Sequence, residues 1–129
     1  MPLVRIALPA ETSAAWRRAV ADGVHRALVD AIGVPEADRF QLIEPRAADE
    51  RIADPGYLGV ARSAAPVVVA ITLRAGRSDA TKRALYRAIA DNLAAAPGVR
   101  PEDVMVVLTE NAEIDWSFGA GVAQYAPGP

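Results

Sequence analysis

The chain repeats itself at an offset of 65 residues, and that periodicity limits the folds open to it. Val4, Ile6 and Leu8 recur as Val69, Ile71 and Leu73, and Ser13, Ala15, Arg18 and Ala19 recur as Ser78, Ala80, Arg83 and Ala84. Leu28, Ala31, Gly33, Val34 and Asp38 recur as Leu93, Ala96, Gly98, Val99 and Asp103. The pairs Val20/Leu85, Val24/Ile89, Phe40/Met105, Leu42/Val107 and Ile43/Leu108 keep apolar character without identity. The full length, 129 residues, is one short of twice the offset. The chain therefore reads as one domain, residues 1–129, built from two copies of a small unit, about 2–45 and 66–112, followed by a C-terminal arm, 113–129.

Each copy reads strand, helix, strand. Leu3 to Leu8 opens the first; Val67 to Leu73, almost continuously apolar and β-branched, opens the second, as suits buried strands. Ser13 and Ser78 stand where a hydroxyl can cap the first turn of a helix. The first helix carries its core stripe on Trp16, Val20, Val24, Leu28 and Ala31, the second on Leu85, Ile89, Leu93 and Ala96. His25, one residue past a stripe position, is expected to point outward. Gly33 and Gly98 stand where a helix end favours a left-handed residue. Arg39 to Glu44 and Val104 to Thr109 close the two units as strands parallel to their openers, by right-handed crossovers. The fold class is α/β (α+β), with a duplicated β-α-β unit forming a four-stranded mixed sheet and two helices on one face. The segment from Pro45 to Pro66 reads as a long loop with one short strand near Arg51-Ile52, of a length more often functional or interfacial than idle. In the arm, Ile114, Trp116 and Phe118 alternate at period two, as in an extended segment before Pro127-Gly128-Pro129.

Composition removes several functions. The net charge of −2 argues against nucleic acid or an anionic membrane as the main partner. No apolar run approaches the roughly 20 residues of a membrane span, and the Met1-Pro2-Leu3-Val4-Arg5 start lacks the pattern of a secretory signal; a cytoplasmic location is expected. Without Cys and with a single His, a thiol nucleophile, a disulfide framework and a dedicated transition-metal site are all unexpected. Gly119-Ala120-Gly121 lacks the flanking strand and helix of a phosphate loop.

Symmetry then points to a place for chemistry. If the copies are related by an approximate two-fold axis, the opening strands run antiparallel, and Pro2 lies beside Leu73-Arg74. Asp38, just before the closing strand, lies at the same sheet edge, so Pro2, Asp38, Arg74 and Arg77 converge. The opposite edge would hold a degenerate counterpart near Val67, Asp103 and Pro9, without an amine. Loss of Met1 would give Pro2 a secondary amine, and α-amino groups titrate close enough to neutrality to act as acid or base. If Met1 persists, that nitrogen is an amide and the chemistry is absent. Arg74 and Arg77, in L-R-A-G-R-S, offer rigid forks for a carboxylate. Trp116 and Phe118 offer a wall that excludes water. Each residue also has a plain structural role open to it: loop cations, a turn aspartate, packing aromatics.

Taken together, the penultimate proline, the duplicated unit and five segments resemble the tautomerase superfamily, and within it the malonate semialdehyde decarboxylase group. The segments are Met1-Pro2-Leu3, A-I-G-V-P-E-A-D-R-F-Q (residues 31–41), L-G-V-A-R-S (58–63), P-E-D-V-M-V (101–106) and D-W-S-F-G (115–119). The resemblance implies a homotrimer and a cofactor-independent enzyme acting on a small carboxylate. It implies catalytic roles for Pro2, Asp38 and Arg74, and an aromatic wall at Trp116 and Phe118. The second arginine departs from the decarboxylase pattern, which separates the two by one residue. Position 76 is Gly, and the R-x-G-R spacing that ends at Arg77 resembles the cis-3-chloroacrylic acid dehalogenases. The implied reaction is decarboxylation of a 3-oxo acid by a cationic Pro2, with side hydratase or tautomerase activity. A neutral Pro2 would instead serve as base in a tautomerase of enol acids such as phenylenolpyruvate; a cis-3-haloacrylate dehalogenase-like hydratase is the other enzyme alternative. A duplicated sheet of this kind also serves non-enzymatic, oligomeric ligand-binding modules.

Overall fold

A computed structural model describes all residues from Met1 to Pro129. Its elements are β1 (Pro2–Pro9), α1 (Ala14–Ile32), β2 (Phe40–Arg46), β3 (Val67–Arg74), α2 (Asp79–Ala95) and β4 (Val104–Asn111). The sheet order is β2-β1-β3-β4. β1 runs parallel to β2, β3 parallel to β4, and the two openers are antiparallel, with Pro2 opposite Leu73 and Val4 opposite Ile71. The duplicated mixed sheet anticipated from the repeat is thus present. No helix is long and apolar enough to cross a membrane.

The repeat builds the core in matched pairs. Val4, Ile6 and Leu8 point to the helices with Val69, Ile71 and Leu73, and meet Val20, Val24 and Leu28 of α1 and Leu85, Ile89 and Leu93 of α2. All are essentially inaccessible to solvent. Each large side chain so buried contributes about 1.5–3 kcal/mol of transfer free energy. The helices begin where the serines say. Ser13 accepts a hydrogen bond from the Trp16 amide and Ser78 from that of Thr81, satisfying a first-turn donor in each helix. Ser13→Ala is therefore expected to cost about 1 kcal/mol in chemical denaturation.

The two helices end differently. Gly33 takes the left-handed cap of α1 at φ 74°. α2 stops at Ala95, because Pro97 cannot continue the ladder and forces Ala96 into extended backbone. Gly98 nonetheless does the work of its counterpart. Val34 donates to the Leu28 carbonyl and Val99 to the Leu93 carbonyl, so both returning chains leave in the same way.

Ala96, expected on the core stripe of the second helix, therefore lies exposed beyond its end, and three further local expectations fail. No strand forms at Arg51-Ile52; the middle loop holds two short 3₁₀ turns, Ala48–Glu50 and Tyr57–Gly59. The Arg51 guanidinium anchors this loop by donating to the carbonyls of Arg46 and Pro66, replacing backbone pairing with side-chain bonds. The arm is not extended through Ile114 either. Asp115 accepts from the Ala112 amide and closes a 3₁₀ turn over Glu113–Asp115, which overrides the period-two pattern. His25 is buried rather than outward-facing. Its Nε2 lies 2.9 Å from the Glu36 carbonyl, because the turn that leads to β2 folds back over α1.

Candidate active site

The parallel pairing of β1 with β2 and the antiparallel pairing with β3 bring three chain segments to one sheet edge: the N-terminus, the turn before Phe40, and the turn after Leu73. Asp38 is held by its amide, which donates to the Pro35 carbonyl across a tight turn. Arg74 ends β3. Gly76 follows at φ 120°, a conformation that side-chain-bearing residues rarely adopt, and turns the chain so that Arg77 comes back beside Arg74. The Arg77 guanidinium donates to the Arg74 carbonyl at 2.7 Å.

These segments border a cavity of about 260 Å³, whose lining includes Met1, Asp38, Arg74, Arg77, Val34 and Tyr125. The Met1 ammonium donates to Asp38 Oδ2 in an almost fully buried ion pair. Pro2 follows immediately, buried as the first residue of β1, a position a proline tolerates because it costs no ladder bond upstream. The charges of the two arginines are disposed differently. Arg74 Nη1 is engaged by Glu113 at 2.6 Å. Arg77 has no carboxylate partner within ion-pair distance. Burial above all, and then the Arg74 charge beside it, lower its pKa, against the weaker pull of Glu110 and Asp38. Arg77 is thus a partly desolvated cation with donors to spare, the condition in which an incoming carboxylate is most useful.

Trp116 and Phe118 do not line this cavity within one chain, contrary to expectation. They line a neighbouring cleft of about 390 Å³ on the outer face of the sheet, with Leu3, Phe40 and Thr72. The Trp116 indole donates to Asn111 at 2.6 Å and stacks on Phe118, whose ring centroid is 5.5 Å away. Phe118 also meets Phe40 at 5.3 Å. Both openings lie at the same end of the sheet, and Tyr125 bridges them: it lines the charged cavity and meets Phe118 edge-on at 5.7 Å. Tyr125 and Glu113 are the site residues that the sequence reading missed. Neither lies in the repeated units, so the symmetry that located the others was silent about them.

The opposite sheet edge shows what the duplication became. Asp103 is buried at the start of the β3–β4 pairing, next to Val67, as Asp38 stands next to the N-terminus. Where Asp38 meets an ammonium, Asp103 accepts from the amide and hydroxyl of Ser63, at 2.7 and 2.6 Å. The chain thus supplies both donors itself. Ser63→Ala is expected to lower stability by about 1–3 kcal/mol, since it strips a partner from a buried carboxylate; turnover at the other edge should stay unchanged.

The tautomerase enzyme family matches this chain through two family models, one over residues 38–119 and the other over residues 2–60. The chain belongs to the tautomerase family. It is 40% identical over 124 residues to the probable tautomerase YusQ of Bacillus subtilis (strain 168), covering 96% of this chain and 98% of that one. Among solved structures, this tautomerase is similar to FG41 malonate semialdehyde decarboxylase inhibited by 3-bromopropiolate, at 43% identity and a TM-score of 0.91, with 95% and 93% of the two chains covered. It is also similar to a fused 4-OT wild-type symmetric trimer, at 28% identity and a TM-score of 0.77, with 93% and 94% covered. The group that the sequence resembles, the malonate semialdehyde decarboxylases, is therefore also the one it resembles in structure.

Proposed function

We propose that this tautomerase decarboxylates a small 3-oxo acid of the malonate semialdehyde type, using Pro2 as its N-terminal amine after loss of Met1. The observation that carries the reading is the convergence of the chain's amino end, Asp38 and two arginines in one cavity. Met1 fills part of that cavity and is almost wholly buried. Its removal would free a secondary amine and clear space for substrate in a single step.

Arg77, aided by Arg74, holds the substrate carboxylate and fixes its C–CO₂⁻ bond perpendicular to the neighbouring carbonyl plane. The cationic Pro2 donates a hydrogen bond to the aldehyde oxygen. As the C–C bond breaks, its electron pair passes into the new C=C bond and charge builds on that oxygen. The fixed ammonium stabilises it there. Carbon dioxide leaves, and a proton delivered to the enolate carbon by the Pro2 cation or by water completes the aldehyde product. Asp38 pairs with the amine and holds it in place; it is also the group suited to activating water in a hydration side reaction. No metal or organic cofactor is required. A tautomerase reading, with neutral Pro2 as base, finds support in the name of the Bacillus subtilis relative.

The exposed outer face of the sheet, with Phe40, Leu42, Met105 and Val107, supports a homotrimeric assembly like that of the fused 4-OT trimer, in which these residues would be covered. A screen of the mature protein against malonate semialdehyde, 3-haloacrylates and phenylenolpyruvate tests the function. Fastest turnover of malonate semialdehyde is expected; exclusive turnover of phenylenolpyruvate would favour the base mechanism instead.

A further inference from the structure

We infer that Glu113 sets the charge of the ligand this site accepts, admitting a single carboxylate and excluding substrates with a second anionic group. The inference rests on the carboxylate-binding reading of the cavity. Three cationic groups meet there, the N-terminal amine, Arg74 and Arg77; Asp38 lines the cavity with them, and Glu113 stands beside it, bound to Arg74 at 2.6 Å. Asp38 is committed to the Met1 ammonium, a role that passes to the Pro2 amine under the proposed function, and Glu113 to Arg74. Glu110, the other acid that acts on Arg77, is bound to Lys82 at 2.8 Å. One cation, Arg77, is left without a carboxylate partner, which matches one negative charge on the ligand.

Glu113 does not stand there by accident of a flexible side chain. It opens the 3₁₀ turn that the Asp115–Ala112 bond closes. That turn follows directly on β4, whose Asn111 is the register partner of Arg74 and accepts from the Ala75 amide. The backbone that carries Glu113 is thus tied to the backbone that carries its partner. A ligand whose second anionic group lay near Arg74 would have to displace Glu113 or sit against its charge. A like charge a few ångströms away in a partly screened site costs about tenfold in affinity.

The test compares two unreactive three-carbon probes, 3-hydroxypropionate and malonate, by calorimetric titration of the mature protein and of Glu113→Gln. Wild type should prefer the monoanion. In Glu113→Gln, malonate affinity should rise about tenfold more than that of 3-hydroxypropionate, and Glu113→Ala should give the same change in ratio. Both side chains of the pair are half-exposed, and a thermal melt verifies that the variants are folded. An unchanged ratio in both variants overturns the role of Glu113 alone. If neither probe binds wild type, the carboxylate-site reading falls, and this inference with it.

Discussion

Pro2→Ala should lower turnover of malonate semialdehyde by about 10²- to 10⁴-fold, the range that a positioned acid or base contributes. Alanine is as small as proline in the sense that matters for Met1 removal, so the variant still exposes an amine. What it loses is the secondary amine and the ring that fixes its direction. The fold should survive, because Pro2 sits at the first position of β1 and the strand's pairing with β2 starts at Leu3. A second arm removes the amine altogether. A residue that cannot be cleaved, placed ahead of Pro2, turns its nitrogen into an amide and should abolish turnover while leaving the thermal melt in place. Unchanged activity in either protein would sink the mechanism.

Arg77→Ala should cost roughly 30- to several-thousand-fold in kcat/KM, the equivalent of about 2–5 kcal/mol for removing one partner of a desolvated charged pair. The loss should appear first in KM, because the carboxylate is gripped before the C–C bond breaks. Arg77 is singled out over Arg74 by geometry. Its guanidinium donates only to a backbone carbonyl, whereas Arg74 is already engaged by Glu113. Arg77→Lys should recover only part of the loss, since a single ammonium cannot make the paired hydrogen bonds of the fork. Steady-state kinetics on both variants checks this. A KM unchanged in Arg77→Ala would move the carboxylate elsewhere.

Much of this site is legible because the chain is duplicated. The repeat alone fixes strand directions, and strand directions place Pro2 beside Leu73-Arg74 and Asp38 at the same edge. The same rule locates Asp103 at the far edge, where Ser63 rather than an amine satisfies it. What the repeat does not cover is not legible. The arm after Asn111 has no counterpart in the first copy, so nothing in the pattern shows that Glu113 turns back onto Arg74, or that Tyr125 reaches the cavity. The alternation of Ile114, Trp116 and Phe118 misleads for a related reason. Period two marks a strand only where a neighbour offers backbone partners, and here Asp115 supplies a local one instead. His25 illustrates a third limit. Helical periodicity measures burial against the sheet, and His25 is buried by a turn that follows the helix.

In the proposed trimer, a neighbouring chain would complete the wall that Trp116 and Phe118 begin. Their cleft opens on the same sheet face as Phe40, Leu42, Met105 and Val107. A trimer that covers this face would enclose the aromatic cluster, and light scattering at micromolar concentration should report three times the monomer mass.

The mechanism turns on one nitrogen atom, and that atom can be observed directly. In protein labelled with ¹⁵N-proline, every proline nitrogen inside the chain is an amide and is silent to pH. A mature chain that begins at Pro2 adds a single amine resonance that titrates. The decarboxylase account predicts that resonance, with its midpoint above neutrality, so that Pro2 is cationic when substrate binds. A midpoint below neutrality, or no titrating proline nitrogen at all, would contradict it.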